Sequence, residues 1–192
     1  MELILASGSP RRREMFDLMG LSYTLRPSDA DESLPPCAPS DMVETLALRK
    51  AASIKKSAPG CCVVGADTVV YLDGHIIGKP ADEADASRIL HMLSGRTHTV
   101  YTGVAILTDE KQLVFHETTD VTFATLSEAE IADYIASGEP MDKAGAYGVQ
   151  GIGAVLVEKV EGCYFNIIGL PIPTFYRKLA EAGILPAWRR RL

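Results

Sequence analysis

Strand-like and helix-like stretches alternate along this chain, and that alternation restricts its fold more than any other feature. Leu3–Ala6 is an apolar strand, after which Ser9-Pro10 supplies an N-cap residue and a proline at the first helical position. The predicted helix carries Met15, Phe16 and Met19 on one face. Residues 22–26 read as a second strand. The next stretch, residues 27–40, holds Pro27, Pro35, Pro36 and Pro39 and reads as a loop. Residues 41–56 follow as a helix, with Met42, Leu46 and Ile54 near helical spacing.

Cys61–Val64 and Thr68–Leu72 are strand-like, and Asp73-Gly74 marks a hairpin turn before Ile76-Ile77. Residues 82–93 are helical, with Gly95 as C-cap. Residues 97–108 and 112–124 form a long hairpin pattern. Ser127 and Glu130 make a capping box for a short helix that stops at Gly138. The glycine-rich stretch 138–153 reads as a loop, residues 154–159 and 164–168 as a further hairpin around Glu161-Gly162, and residues 173–182 as a closing helix. No period of 20 to 50 residues recurs, which removes solenoids and propellers. Interleaved helices, strands and hairpins imply an α/β fold with a mixed sheet, and no linker-like stretch divides the chain.

At 192 residues the chain has the size of one domain or a tightly joined pair of lobes. Hydrophobic residues at 47% against 23% charged place it among globular proteins rather than disordered ones. No apolar run approaches the ~20 residues of a membrane helix. Met1–Ala6 has no basic segment ahead of its apolar residues, so it reads as a strand rather than a secretory signal, and a cytoplasmic location is expected. Cys37, Cys61, Cys62 and Cys163 lack metal-ligand spacing and are expected to be reduced thiols. A net charge of −6 argues against broad nucleic-acid binding and requires a local cationic cluster for any anionic substrate.

Four segments carry chemistry. In Ala6-Ser7-Gly8-Ser9-Pro10-Arg11-Arg12-Arg13, a strand runs into a helix through small residues, which exposes backbone N–H groups suited to phosphate. Cations at a helix start oppose the macrodipole, a placement that makes sense if an anion sits between them. A solvated basic first turn is the alternative, and the spacing is not that of a P-loop. In Gly65-Ala66-Asp67-Thr68-Val69-Val70 a carboxylate interrupts an apolar strand, at a cost of several kcal/mol unless it is paired. Lys79, in Gly78-Lys79-Pro80, is a candidate partner brought back by the hairpin; a strand-end Asp in a turn is the alternative. The acidic loop segment Asp29-Ala30-Asp31-Glu32 suits Mg²⁺ or Mn²⁺, or is simply solvated. The fourth segment, residues 138–151, mixes glycines that allow close backbone approach with Asp142, Lys143, Tyr147 and Gln150, and reads as a binding loop. The histidines, His75, His91, His98 and His116, show no ligand spacing, and Arg189-Arg190-Arg191 reads as a solvated tail.

Taken together, these segments resemble the Maf family of nucleoside triphosphate pyrophosphatases. The resemblance runs through LASGSPRR at 5–12, DE at 31–32, ADTVV at 66–70, GKP at 78–80, LSGRTHTVYTGV at 93–104, SGEPMDKAGAYGVQG at 137–151 and NIIGLP at 166–171. It implies one domain over residues 1–192, with an elongated mixed β-sheet, flanking helices and two lobes around a central cleft, akin to the inosine triphosphate pyrophosphatases. It also implies a homodimer. The implied reaction hydrolyses a nucleoside triphosphate to the monophosphate and pyrophosphate with a divalent cation, Mg²⁺ or Mn²⁺. Asp67 is then the proton acceptor and, with Glu32, a metal ligand. Ser7, Arg11, Lys50, Lys79, Asp142 and Lys143 are implied as substrate and phosphate contacts. Arg12, Thr68 and Gln150 match the branch that acts on dTTP and UTP. Met141 stands where glycine is frequent and Phe16 where leucine is frequent, both away from the implied chemistry.

The expected mechanism is attack of water on the α-phosphorus, with cations neutralising the triphosphate and Gln150 and Arg12 reading the pyrimidine edge. A 7-methyl-GTP pyrophosphatase is the rival within the enzyme class, and a nucleotide-binding division regulator without catalysis is the rival outside it. Binding alone does not require a carboxylate beside phosphates. A nucleic-acid-binding module stands third, against the chain's negative charge.

Overall fold

The computed structural model describes residues 1–184; the Arg189–Arg191 run lies outside them. In chain order the elements are β1 (Leu3–Leu5), α1 (Pro10–Leu18), β2 (Thr24–Leu25), α2 (Pro39–Lys55), β3 (Cys62–Leu72), β4 (His75–Ile77), α3 (Glu83–Leu93), β5 (Thr97–Leu107), β6 (Gln112–Phe123), α4 (Glu128–Ala136), β7 (Val157–Gly162), α5 (Tyr164–Ile168) and α6 (Ile172–Glu181). The strands are ordered β2-β1-β3-β5-β6-β7, with β4 paired to β3. β1 runs parallel to β2 and β3, whereas β4 is antiparallel to β3 and β7 antiparallel to β6. The expected mixed α/β sheet is therefore present.

Two local expectations give way. β3 continues unbroken through Gly65-Ala66-Asp67, where two strands were expected. The hairpin expected over residues 154–168 is instead a 3-10 turn (Ile152–Leu156), then β7, then the short helix α5. Gly162 pairs with Thr119 as the last residue of β7 rather than making a turn. Asn166 holds α5 in place by donating from Nδ2 to the Val100 carbonyl at 3.0 Å and to Thr119 Oγ1 at 3.1 Å. Short apolar runs such as Tyr164–Ile168 have no decisive period of their own, so a buried amide decides.

The chain divides into two compact units. The first comprises Met1–Asp67, Thr102–Glu117 and the segment from Gly169. Its core sets Ile4, Val63 and Ala105 of the strands, and Ala6 just after β1, against Ala47 and Ala51 of α2. The buried stripe of α2 is Val43, Leu46, Ala47 and Ala51, while Met42 and Ile54 of the expected stripe lie outside it. Two glycines explain the close fit. A Cβ on Gly65 would lie 2.3 Å from the Ala47 carbonyl oxygen and 2.7 Å from the Ala51 nitrogen. A Cβ on Gly103 would lie 2.3 Å from the Val43 carbonyl oxygen. The backbone of α2 thus rests on β3 and β5 with no side chain between. Phe16 of α1 is fully buried against Phe175 of α6, ring centroids 5.4 Å apart, a burial of about 2 kcal/mol or more. Ser9 holds the N-cap position of α1 without capping it; its own N–H donates to Ser7 Oγ at 3.2 Å.

The second unit comprises Thr68–Tyr101 and Thr118–Ile168. Val70, Leu72, Val100, Val121 and Phe123 pack with Ile89, Leu90 and Leu93 of α3 and Ile131 and Tyr134 of α4. Asp82 caps α3 by accepting from the Asp85 N–H at 2.8 Å. The expected capping box is formed, with Ser127 Oγ accepting from the Glu130 N–H at 3.3 Å and Glu130 Oε2 accepting from the Ser127 N–H at 2.7 Å. Asp73 and Gly74 both have positive φ, 48° and 85°, as the hairpin turn requires. All four cysteines are free thiols.

Candidate active site

Alternate residues of a strand share a face, so Gly65 and Asp67 point the same way from β3. Because α2 rests on Gly65 through Ala47 and Ala51, the intervening Lys50 reaches the carboxylate: Nζ lies 2.7 Å from Asp67 Oδ1 and 3.1 Å from Glu32 Oε1. The side chains of Lys50 and Asp67 are 13% and 12% exposed, so this ion pair is largely removed from water, whereas that of Glu32 is 60% exposed. The charge that interrupts the apolar strand is therefore compensated, as burial demands. Its partner is Lys50, supplied by a helix contact that local spacing does not reveal, where the hairpin had suggested Lys79.

Arg12 completes the cluster in this unit. Its Nε donates to the Gly169 carbonyl at 2.9 Å and its Nη1 to Ser7 Oγ at 3.2 Å. Burial pulls the guanidinium pKa below its ordinary value; Asp67 pushes back, Arg11 adds to the lowering, and Glu32 opposes it. Arg12 consequently senses the charges of Asp67, Arg11 and Glu32. Glu32 is held from both sides by Arg49, whose Nη1 donates to the Asp31 carbonyl at 3.1 Å and the Ser33 carbonyl at 2.8 Å. Asp31 itself turns back to accept the Ser33 N–H at 2.9 Å. Arg49 thus fixes the acidic loop that its neighbour Lys50 contacts. Nothing in the sequence pattern marks it for this role.

The second unit holds Thr68, Lys79, Asp142, Lys143 and Gln150. Thr68 directly follows Asp67 in β3 and is half-buried, while Lys79, Asp142 and Gln150 are exposed. The glycine-rich segment is a series of tight turns rather than a slack loop. Lys143 Nζ donates to the Glu139 carbonyl at 2.6 Å and pairs with Asp142 Oδ1 at 2.7 Å. Gly145 donates its N–H to the Gly78 carbonyl at 2.9 Å, which sets the segment bearing Lys79 beside the segment bearing Lys143. Gly145 and Ala146 both have positive φ, 73° and 56°; for alanine that conformation costs about 1 kcal/mol or more. Strain of this kind persists where surroundings over-determine it. Here the neighbouring Tyr147 is locked: its hydroxyl lies 2.7 Å from His98 Nε2 and its ring packs edge-on to Phe123 at 4.7 Å.

Tyr147 is 5% exposed, and its one polar side-chain atom is engaged by His98. It is an anchor of the segment, not one of the ligand-facing groups the sequence suggested. His98, unremarkable in sequence, is 1% exposed, and burial pushes its pKa down to about 4. Its imidazole is therefore neutral at neutral pH. Tyr134 and Glu139 also escaped the sequence reading; an acidic residue wedged between Gly138 and Pro140 was the only signal for the latter.

The first cluster combines a shielded carboxylate, a second carboxylate nearer solvent, and cations from two helices. Such a set can bind polyphosphate and polarise an attacking water. Among the described residues, no group of three or more His, Cys, Asp or Glu side chains could hold a metal ion by itself. Glu32 and Asp67 nevertheless converge on one ammonium. Two carboxylates with phosphate oxygens and waters completing the shell is the usual environment of Mg²⁺, so these residues fit a divalent cation that arrives with a phosphate ligand.

The family model for Maf-like proteins matches residues 2–182, a span that contains every site residue above. The chain belongs to the Maf family. It is 46% identical over 184 residues to proteins of Bacillus cereus and Bacillus thuringiensis subsp. konkukian, both named dTTP/UTP pyrophosphatase; the alignment covers 95% of this chain and 96% of each relative. A Bacillus anthracis protein of the same name is 45% identical over the same extent. Among solved structures, the Ham1 protein of Staphylococcus aureus aligns with 65% of this chain and 72% of its own at a TM-score of 0.48 and 16% identity. In this Maf-family chain the strand-borne Asp67 and the helix-borne Lys50 are thus placed by packing within one unit.

Proposed function

We propose that this chain hydrolyses dTTP and UTP to the monophosphate and pyrophosphate. The observation that carries the proposal is the shielded Asp67 carboxylate, held by Lys50 and flanked by Arg12 and Glu32. The name shared by relatives 46% identical over nearly the whole chain supports it. Binding a triphosphate does not by itself require a carboxylate shielded from water amid the phosphate-binding cations, whereas activating a water does.

In this reading Lys50 engages Asp67 Oδ1 and the second carboxylate oxygen accepts a proton from water. The water oxygen bonds to the α-phosphorus, the bridging bond to the β-phosphate breaks, and pyrophosphate leaves with the electron pair. Ser7, Arg11, Lys50, Lys79, Asp142 and Lys143 serve as substrate and phosphate contacts, and Arg12, Thr68 and Gln150 select the base. Glu32 and Asp67 would hold Mg²⁺ or Mn²⁺, which supplies charge neutralisation on the phosphates. Positioning and electrostatics of this sort account for most of phosphoryl-type catalysis.

The test is pyrophosphate release across UTP, dTTP, CTP, GTP and 7-methyl-GTP with Mg²⁺ or Mn²⁺. Turnover of UTP and dTTP to monophosphate and pyrophosphate is expected. Release of orthophosphate instead, cleavage of 7-methyl-GTP alone, or tight UTP binding without turnover would each overturn the proposal.

A further inference from the structure

The segment that carries Lys143 and Gln150 is organised by a carboxylate that belongs to none of the proposed substrate contacts. Glu139 accepts three hydrogen bonds: from the Tyr134 hydroxyl at 3.0 Å and the Gly153 N–H at 2.9 Å on Oε1, and from the Ile152 N–H at 2.9 Å on Oε2. Tyr134 Oη in turn accepts the Gly148 N–H at 3.1 Å. Gln150 therefore sits between two backbone positions, Gly148 and Ile152, that are tied to the same phenol–carboxylate pair. A Cβ on Gly151 would come within 2.7 Å of Glu139 Oε2, so the chain wraps the carboxylate at van der Waals distance.

Lys143 is bound into the same assembly. Its ammonium donates to the Glu139 main-chain carbonyl, and its stem crosses Gly148, where a Cβ would lie 2.8 Å from Lys143 Cε. Three donors converging on one group call for an acceptor-only side chain, which an ionised carboxylate is and an amide is not. Burial would raise the Glu139 pKa, but the hydrogen bonds from Gly153, Ile152 and Tyr134 and the charge of Lys143 outweigh it, so the net shift is downward.

The geometry points to Glu139, together with Tyr134, as a positioning residue: it preorganises the turn that presents Gln150 to the base and Lys143 to the phosphates. This rests on the pyrophosphatase reading. A loop fixed before substrate arrives costs less to order on binding, so its loss falls on KM and on base discrimination rather than on the chemical step.

The test is Glu139→Gln, which keeps volume but turns an amide N–H₂ toward main-chain donors. Wild-type enzyme assayed in parallel with UTP and GTP separates the two ideas: failure of wild type to release pyrophosphate overturns the function, not the role of Glu139. With wild type active, Glu139→Gln is expected to raise KM for UTP by about tenfold with kcat within about threefold, and to narrow the UTP-to-GTP ratio of kcat/KM. An unchanged KM and ratio would overturn the proposal. So would a loss of kcat with KM unchanged. Tyr134→Phe removes one of the three donors and is expected to shift KM and the ratio in the same direction by less. If Glu139→Gln does not fold, Tyr134→Phe decides alone, and wild-type KM and discrimination in it would refute the role.

Discussion

Replacing Asp67 by Asn removes one charge while keeping the shape, and it separates catalysis from folding. If Asp67 accepts the water's proton, kcat for UTP should fall by about 10²–10⁴, or about 3–5 kcal/mol of barrier. The effect on stability is set by what remains around Lys50. At 2.7 Å the Lys50–Asp67 attraction is about 6 kcal/mol at an effective dielectric of 20, before desolvation cancels most of it. In Asp67→Asn the ammonium keeps Glu32 at 3.1 Å, so the net loss should be about 1 kcal/mol, or about 2–4 °C in Tm. Lys50→Met is the harsher change. It leaves Asp67 shielded from water without its ion-pair partner, and should cost about 3 kcal/mol, about 6–12 °C. The double variant should be more stable than Lys50→Met alone, because neither member of the pair is stranded. Stopped assays of pyrophosphate release give the kinetics and calorimetry gives Tm. Near wild-type turnover in Asp67→Asn would refute the catalytic assignment. A double variant no more stable than Lys50→Met would refute the electrostatic argument.

Protonation of His98 couples stability to pH. Its folded pKa is about 4 against 6.5 for the free side chain, because burial disfavours the charged ring. The unfolded chain takes up the proton first, so this contribution is complete above pH 6.5 and is lost as pH falls toward 4. By pH 4.5 the loss is about 2.5 kcal/mol. Urea titrations at pH 7.5 and 4.5 should show a drop smaller by that amount in His98→Gln, and an equal drop in both proteins would contradict the assignment. Gly65→Ala should cost about 2–3 kcal/mol and lower kcat with it, because the new Cβ meets backbone atoms of Ala47 and Ala51 and must lift α2, and Lys50, from β3. An unaltered Tm in that variant would show that the helix does not rest on the strand as described.

The amino-acid order by itself determined the elements whose signals are local. The Ser127–Glu130 capping box, the Asp73-Gly74 turn and the proline at the start of α1 depend on residues a few positions apart, and each formed as expected. The motif segments likewise pointed to the family and to Asp67. Tertiary structure decided which charges meet. Lys50 rather than Lys79 is the ion-pair partner of Asp67 because two glycines, Gly65 and Gly103, let α2 lie directly on the strands. Arg49 shapes the acidic loop and Glu139 the glycine-rich turns through contacts that carry no periodicity. The segment 164–168 became a helix because the buried Asn166 amide found partners on β5 and β6. Caps and turns are written in neighbouring residues. Ion pairs and close backbone approaches depend on which distant surfaces come together, and the packing of a folded interior supplies that information.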